Sequence, residues 1–302
     1  MVETKINIGH TPLVRLKRIE ELYHLPFELY GKDESKNPTG SIKDRAAYYM
    51  IKNALDNGSI NENSIIVEAT SGNMGISIAY ICSLYHLRCV LFMPISASKE
   101  RREMMSQYGA ELVLVDGGMS QCVDASLKFQ QEHPEAYILD QFNNPFNPKA
   151  HEETTSQEII ESLGCTPDYF LAGFGTAGTL IGNARAFKRS GTCTIIGVEP
   201  LNSPLVTKGE AHPHLIQGIG ANFIPGIFDR SFVDEVITVS GEDAYKGTKL
   251  LYKEENLFMG ISSGAALMSL LNYKDNIKEN SKVVIILPDS GNRYRSIDGL
   301  YE

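Results

Sequence analysis

One lysine stands in a loop whose residue types could support covalent chemistry on an aldehyde. Lys43 lies in the run NPTGSIKDR (37–45), where residues 37–40 predict a turn and Ser41 can cap a helix that begins near Ile42. Lys43 then falls in the first helical turn, where the helix dipole favours the neutral amine that condenses with a carbonyl group. Taken alone, such a lysine is more often a solvated surface residue.

A second polar loop, EATSGNMG (68–75), follows the apolar run Ser64–Val67. Thr70, Ser71 and Asn73 offer hydroxyl and amide groups beside the N–H groups of a helix N-terminus, a combination that binds a carboxylate well. An ordinary helix cap is the simpler interpretation when this loop is taken alone.

A third loop, GFGTAGT (173–179), is rich in glycine and follows the apolar run Tyr169–Ala172. It matches G-x-G-x-x-G, and Glu199 ends a later strand 21 residues beyond Gly178, so a dinucleotide site is a rival interpretation. The same backbone geometry holds any phosphate, and the hydroxyls of Thr176 and Thr179 suit a terminal phosphate monoester equally well.

A fourth loop, LPDSGNRY (287–294), follows the apolar run Lys282–Ile286 and places Ser290 at the carboxyl edge of a predicted strand. A turn serine is the ordinary interpretation of a lone Ser-Gly pair. In open α/β sheets, however, ligands bind at this edge. All four loops lie where a strand or an extended segment leads into a helix.

The elements that must position these loops alternate along the chain. Continuously apolar runs precede amphipathic stretches throughout, which is typical of parallel sheets buried on both faces, so we predict an α/β fold. The predicted strands are Ser64–Val67, Arg88–Met93, Glu111–Val115, Tyr137–Leu139, Tyr169–Ala172, Thr194–Glu199, Glu235–Val239 and Lys282–Leu287. The Asn- and Pro-rich stretch Phe142–Pro148 is the best candidate for a crossing between domains.

Composition excludes several classes of protein. The net charge of -9 and the lack of a basic run disfavour nucleic acid and anionic membranes as partners. The five cysteines are odd in number and form no CxxC pair, so we expect reduced, mostly buried thiols in a cytoplasmic protein and no metal site. The first residues do not read as a signal peptide.

Eight motifs, in this order, resemble the cysteine synthase/cystathionine β-synthase family of enzymes that depend on pyridoxal 5'-phosphate (PLP). The motifs are IGHTPL (8–13), NPTGSIKDR (37–45), TSGNMG (70–75), QFNNP (141–145), GFGTAGT (173–179), QGIGANFIP (217–225), GISSGA (260–265) and PDSGNRY (288–294). They cover nearly the whole chain, whereas a nicotinamide site would explain only the third loop.

The resemblance implies the tryptophan-synthase-β-like fold (fold type II), with two three-layer α/β domains and mostly parallel sheets. Residues 1–36 and 146–302 would form a larger domain that binds the cofactor phosphate. Residues 37–145 would form a smaller, mobile domain that carries Lys43 and the carboxylate loop. The family also suggests a homodimer.

The resemblance also implies a role for each site residue. Lys43 would join the cofactor as a Schiff base and later shuttle the α-proton, Asn73 would bond the ring oxygen, and Ser290 would meet the pyridine nitrogen. A neutral partner such as Ser290 makes the cofactor a weaker electron sink, which suits β-elimination. The loop of Gly175, Thr176, Ala177, Gly178 and Thr179 would enclose the phosphate. Substrate would contact Thr70, Ser71, Asn73, Gln141, Gly220 and Asn222.

The implied activity is β-replacement on a serine derivative or cysteine through an aminoacrylate intermediate. Cysteine synthesis from O-acetylserine and sulfide, with release of acetate, is the default. Asn222 and Met74 depart from the pattern of typical cysteine synthases, which have glycine and threonine there. A lyase that consumes cysteine and releases hydrogen sulfide, or a cystathionine β-synthase-type activity, is therefore the alternative. A serine/threonine dehydratase and a non-catalytic binding protein are weaker hypotheses.

Overall fold

The computed structural model describes residues 7–189, 191 and 193–302, and in these the chain forms two compact units. The small unit is Lys43–Asn147 with Asn7 and Ile8, and the large unit is Gly9–Ile42 with Pro148–Glu302. None of the helices among the described residues has the length and apolar content that a membrane crossing needs.

The strands and helices of the described residues alternate along the chain. The strands are β1 (Leu13–Arg15), β2 (Glu28–Asp33), β3 (Ile65–Ala69), β4 (Arg88–Pro94), β5 (Glu111–Val115), β6 (Ala136–Ile138), β7 (Tyr169–Gly173), β8 (Thr194–Pro200), β9 (Glu235–Val239) and β10 (Lys282–Leu287). The helices are α1 (Lys17–Leu22), α2 (Lys43–Asp56), α3 (Asn73–Tyr85), α4 (Lys99–Gln107), α5 (Met119–Glu132), α6 (Phe146–Ala150), α7 (Ser156–Leu163), α8 (Gly178–Lys188), α9 (Leu205–Lys208), α10 (Gly241–Glu255) and α11 (Ile261–Tyr273).

The small unit is built on a parallel sheet with the strand order β5-β4-β3-β6. Alternate residues of β3 and β4 face opposite sides: Ile66 and Leu91 pack with helices α2 and α3, whereas Val67 and Val90 pack with α5. A strand buried on both faces must be apolar throughout, which explains the continuous apolar runs.

The large unit is built on a sheet with the strand order β1-β2-β10-β7-β8-β9. Only β1 pairs antiparallel, with β2, and the other neighbours are parallel. Helix α11 packs on one face of this sheet beside Val283 and Ile285, and α8 packs on the other beside Val284 and Ile286. The α/β fold with mostly parallel sheets, predicted from sequence, is confirmed.

All eight predicted strands are present to within about two residues, but β1 and β2 were missed. Strand β2 reads ELYGKD, and its Lys32 and Asp33 are buried although they are charged. Such a run lacks the apolar pattern from which strands are inferred. The buried charge of Lys32 is paired with Glu158, 126 residues away, which a local pattern does not reveal.

The boundary between the units lies later than the sequence indicated. Residues 37–42 belong to the large unit, because Ile42 N–H bonds Pro288 O at 2.8 Å and Ser290 N–H bonds Gly40 O at 3.1 Å. The second crossing is at Asn147/Pro148, inside the stretch proposed for it. Residues 1–6 of the predicted larger domain lie outside the described residues.

The cysteines of the described chain are free thiols. Four are buried, namely Cys82, Cys89, Cys122 and Cys193, and Cys165 is exposed. Burial raises the pKa of both the Cys122 and the Cys193 thiol.

Helices α10 and α11 approach each other through two glycines. A Cβ at Gly247 would lie 2.2 Å from Gly264 O, and one at Gly264 would lie 2.1 Å from Ala244 O. Helix α11 follows directly on Met259 and Gly260, which bond the segment of Asp289 and Ser290. The close helix contact therefore supports the turn that presents Ser290.

We expect Gly247→Ala to lower the free energy of unfolding by about 1–3 kcal/mol, because the new methyl group forces two packed helices apart. Urea unfolding followed by circular dichroism measures this. Lys246→Ala, which changes the exposed neighbour on the same helix, should stay within about 0.5 kcal/mol of the parent. Equal losses in the two variants would contradict the packing argument.

Candidate active site

Lys43 is the first residue of α2 and is half-buried. The turn before it contains Gly40 at a φ of 81°, a left-handed conformation that suits glycine. Arg293 donates to Gly40 O at 2.8 Å and also to Thr39 O. These bonds tie the turn that leads into Lys43 to the turn that carries Ser290.

Ser290 caps a short 3₁₀ turn, Gly291–Tyr294. Its Oγ accepts from Asn292 N–H at 3.3 Å, so the hydroxyl proton remains for a bond to another acceptor. Next to it, buried Asp289 accepts a bond from Tyr294 OH at 2.8 Å. Ser290 is therefore oriented as a neutral hydrogen-bond donor.

A buried polar network, which we call the Lys32 network, fixes the start of the same turn. Asn37 donates to Glu34 Oε2 at 2.7 Å, and Thr11 Oγ1 donates to Glu34 Oε1 at 2.7 Å. Lys32 Nζ donates to Glu158 Oε2 at 2.7 Å and to Thr11 O. The network thus joins the IGHTPL and NPTGSIKDR motifs.

The predicted carboxylate loop lies between β3 and α3, at the carboxyl edge of the small sheet. Gly72, in extended conformation, is the cap residue of α3, and its N–H bonds Thr70 Oγ1 at 3.4 Å. No side-chain bond caps this helix end, so its first N–H groups face the loop. Arg101 on α4 donates to Ser71 O at 3.4 Å and adds a positive charge there.

Met74, which departs from the family pattern, is buried in the core of the small unit. It is 2% exposed and belongs to the same apolar cluster as Met50 of α2 and Met105 of α4. The departure at this position is thus a change of core packing.

Gln141 lies near the same sheet edge and is buried. Its Nε2 donates to Glu68 Oε1 at 3.4 Å, and Asn147 Nδ2 donates to Gln141 O at 2.8 Å. Burial raises the pKa of Glu68 to about 8, although the bond from Gln141 acts against this, and the charge of Asp140 raises it further. Glu68 is therefore mostly a neutral acid at pH 7.

The predicted phosphate loop, Gly175–Thr179, joins β7 to α8. Ala177 is the cap residue of the helix at a φ of 67°, and Gly178 N–H bonds Thr176 Oγ1 at 3.3 Å. A Cβ at Gly175 would lie 2.8 Å from Gly218 O, so only glycine fits where the loop meets the 217–225 segment.

His151 contacts the last residue of this loop, Thr179. Its Nδ1 lies 3.0 Å from Thr155 Oγ1 and its Nε2 lies 3.3 Å from Thr179 Oγ1. The residue belongs to a π-helical turn, His151–Thr155, whose close approach to α8 requires Gly182, since a Cβ there would lie 2.1 Å from Pro148 O.

The loop that contains Asn222 lies beside the phosphate loop, and the two line one depression with Phe174 and Ser203. Ser203 Oγ accepts from His212 N–H at 3.1 Å and donates to Asn222 Oδ1 at 2.7 Å. Since the Asn222 oxygen is held by a donor, its Nδ2 group is oriented as the outward donor.

Within the large unit, the structure thus brings Gly175–Thr179, Gly220 and Asn222 together, and it places Ser290 against the turn before Lys43. Within the small unit it brings Thr70, Ser71 and Asn73 to one loop. Three residues near these groups were missed from sequence: Glu68, Arg101 and His151. Only Glu68 left a signal, because it is a carboxylate in the otherwise apolar strand IIVEA.

The dinucleotide interpretation of the third loop requires Glu199 to bind a ribose, and the structure contradicts this. Both carboxylate oxygens are occupied: Oε2 accepts from Val206 N–H at 2.9 Å, and Oε1 accepts from Thr207 N–H at 3.0 Å and from the Thr207 hydroxyl. The carboxylate therefore caps helix α9 and is not free to bind a ribose.

Comparisons with known proteins agree on one family. A family model described as "Pyridoxal-phosphate dependent enzyme" matches residues 4–289. The chain belongs to the pyridoxal-phosphate-dependent enzyme family. It is similar to cysteine synthase B of Campylobacter jejuni, with 44% identity over 294 residues and 96% of each chain covered. It is also similar to cysteine synthase of Staphylococcus aureus, with 39% identity over 293 residues, 96% of this chain and 94% of the other.

Solved structures extend this likeness. A hydrogen sulfide-producing enzyme from Fusobacterium nucleatum has a TM-score of 0.91 and 38% identity, with 95% of both chains covered. An O-acetylserine-dependent cystathionine beta-synthase from Helicobacter pylori has a TM-score of 0.92 and 35% identity, with 100% of both chains covered. The protein is a PLP-dependent enzyme of the cysteine synthase family.

The geometry of this PLP enzyme fits its cofactor. The close approach at Gly175 beside the N-terminus of α8 suits a phosphate group, which accepts hydrogen bonds from N–H and hydroxyl groups. The outward hydroxyl proton of Ser290 suits an unprotonated pyridine nitrogen, since a neutral donor needs an acceptor.

Glu68 makes the stability of the PLP enzyme depend on pH. Its pKa is near 4.5 in an unfolded chain and about 8 in the fold, so between these two pH values mainly the unfolded state releases the proton. The contribution of Glu68 to stability is therefore complete below pH 4.5 and is lost as the pH rises to about 8.

Glu68→Gln removes this titration. We expect the variant to gain stability over the parent by up to about 1.4 kcal/mol per pH unit in that window. Urea unfolding of both proteins between pH 4.5 and 9 measures the difference. A difference that stays constant with pH would show that Glu68 is already ionised in the fold.

Proposed function

We propose that this enzyme makes cysteine by β-replacement, using O-acetylserine as the donor and sulfide as the nucleophile, with release of acetate. The single observation that carries the proposal is the Ser290 hydroxyl, oriented as a neutral donor by Asn292 N–H. A neutral partner for the pyridine ring favours loss of a β-substituent over transamination. The likeness to cysteine synthases over nearly the whole chain supports the choice of substrates.

Each site residue has a role in this proposal. When bound, PLP withdraws electrons from the amino acid joined to it, which weakens the Cα–H bond and then the bond from Cβ to the leaving group. Lys43 holds the cofactor, removes the α-proton with its amine and returns it at the end. The Gly175–Thr179 loop binds the phosphate, Asn73 bonds the ring oxygen and Ser290 donates to the ring nitrogen.

The substrate carboxylate binds at the sheet edge of the small unit. Thr70, Ser71, Asn73 and Gln141 donate to it, and the Arg101 charge close to Ser71 O favours an anion there. We also propose that the enzyme acts in the cytoplasm as a homodimer, as its family resemblance suggests.

Release of sulfide from cysteine is the second candidate, and Asn222 is the observation that favours it. Its outward amide donor could hold a water molecule or the polar end of a nucleophile beside Gly220 at the β-carbon. The hydrogen sulfide-producing enzyme of Fusobacterium nucleatum, similar over 95% of this chain, supports this alternative.

We expect Lys43→Ala to lower kcat for cysteine formation by at least about 1000-fold, because the amine that moves the α-proton is gone. The measurement is sulfide-dependent cysteine formation at saturating O-acetylserine. Lys52→Ala is the matched control, since Lys52 lies on the same helix, is partly exposed and pairs with Asp56. A Lys43→Ala enzyme with a tenth of the parent rate would refute the assigned role.

Donor preference separates the two candidate functions. The protein is mixed in turn with O-acetylserine, O-phosphoserine, serine and cysteine, and the change in the PLP absorbance is recorded. If none of the four alters the band, β-replacement is wrong. If cysteine is turned over with release of sulfide faster than O-acetylserine is consumed, the second candidate replaces the first.

Asn222→Gly should then change the ratio of kcat/KM for O-acetylserine to kcat/KM for cysteine by about tenfold, the effect of one hydrogen bond. Asn280→Gly is the matched control, because Asn280 has a similar φ of 60° against 62° at Asn222. An unchanged ratio in Asn222→Gly would remove the residue from the substrate site.

A further inference from the structure

Glu68 is a buried carboxyl group to which the proposed chemistry assigns no role. It is 5% exposed, and its Oε2 has no hydrogen-bond partner among the described residues. Burying a carboxyl oxygen without a partner costs free energy, and such groups concentrate at functional sites. Glu68 stands two residues before Thr70, at the end of the strand that leads into the carboxylate loop.

The contacts of Glu68 converge on Gln141. The Gln141 carboxamide donates to Glu68 Oε1 at 3.4 Å. Asp140, the residue before Gln141, has a φ of 53°, a conformation that non-glycine residues adopt rarely. Glu68 thus holds the side chain of Gln141 directly after a strained position of the backbone.

A carboxamide nitrogen carries two hydrogens, and one of them is taken by Glu68. We propose that Glu68 is a positioning residue for substrate binding: its buried Oε1 holds one N–H of Gln141 so that the other is presented to the α-carboxylate of the amino acid. The inference rests on the proposed function, because it takes Gln141 as a ligand of that carboxylate.

The neutral state of Glu68 matters because an ionised Glu68 would place a negative charge close to the carboxylate that must bind. The pKa of about 8 lets this change happen within the working range of an enzyme. Tight binding of an amino acid below that pH and weaker binding above it are therefore expected.

Charged groups near Glu68 come from several elements. Asp140 is the one that acts on its pKa most directly. Of the flanking strands, β6 has no charged residue and β4 has only Arg88, which pairs with Glu111 at the other end of the strand. Helix α3 has none, and on α5 Asp124, Lys128 and Glu132 are exposed. Helix α2, which packs on the same face of β3 as Ile66, begins with Lys43, Asp44 and Arg45.

The test uses the full-length holoenzyme and its variants Glu68→Gln and Glu68→Ala between pH 6 and 10. The dissociation constant of O-acetylserine is read from the PLP absorbance, and KM and kcat are read from cysteine formation. Glu62→Gln, an exposed carboxyl on the loop before β3, is the matched control.

We expect the parent to bind O-acetylserine about tenfold more weakly at pH 9.5 than at pH 7.5, beyond any change in Glu68→Gln, because ionisation of Glu68 adds repulsion. Glu68→Gln should keep the tight binding across the range. Glu68→Ala should raise KM about tenfold at pH 7.5, with kcat within about threefold of the parent. The double variant Glu68→Ala/Gln141→Ala should bind O-acetylserine as weakly as Gln141→Ala alone, because Glu68 acts through the Gln141 carboxamide.

Two results would overturn the inference. One is a Glu68→Gln enzyme that weakens above pH 8 as the parent does, and the other is a Glu68→Ala enzyme with an unchanged KM. If Glu68→Ala does not fold, the comparison of Glu68→Gln with the parent decides alone. If the parent itself shows no absorbance change with any amino acid, the proposed function has failed instead.

Discussion

The buried ammonium group of Lys32 is the constraint on which the large unit's part of the site depends. The side chain is fully buried, and a charge in that position is tolerated only when it is paired and hydrogen-bonded. Its partners, Glu158 and Thr11 O, come from α7 and from the IGHTPL motif. Segments far apart in sequence must therefore assemble before the charge is neutralised, and the turn at Asn37 is fixed as a result.

The turn at Asn37 is in turn bonded to the segment that carries Ser290. Arg293 clamps Thr39 and Gly40, and the same short 3₁₀ turn carries Ser290 at its start. Ser290, the proposed partner of the pyridine ring, and the turn that leads into Lys43 are thus positioned by one group of bonds. A rigid approach matters because catalytic groups that are about 1 Å out of place lose much of their effect.

The sequence was most informative where one physical rule applies along a whole segment. The buried strands β3, β4, β7, β8 and β10 must be apolar on both faces, so they could be predicted, and the loops after them followed. Strand β2 could not, because Lys32 is matched by Glu158, which lies 126 residues away. Glu68 was passed over for the same reason, since the role of a buried carboxyl depends on Gln141, 73 residues later. The sequence singled out Asn222 as a substrate-binding candidate. The orientation of its amide could not be predicted, because it depends on the bond from Ser203.

The distribution of the cysteines has a consequence for an enzyme that would handle sulfide. A thiolate, rather than a thiol, attacks disulfides, persulfides and oxidants. Burial raises the pKa of the Cys122 and Cys193 thiols, which keeps them protonated, and Cys82 and Cys89 are enclosed in the core, where solutes do not reach them. Cys165 is the exposed thiol of the described chain, so an oxidant or an alkylating reagent would modify the protein there first.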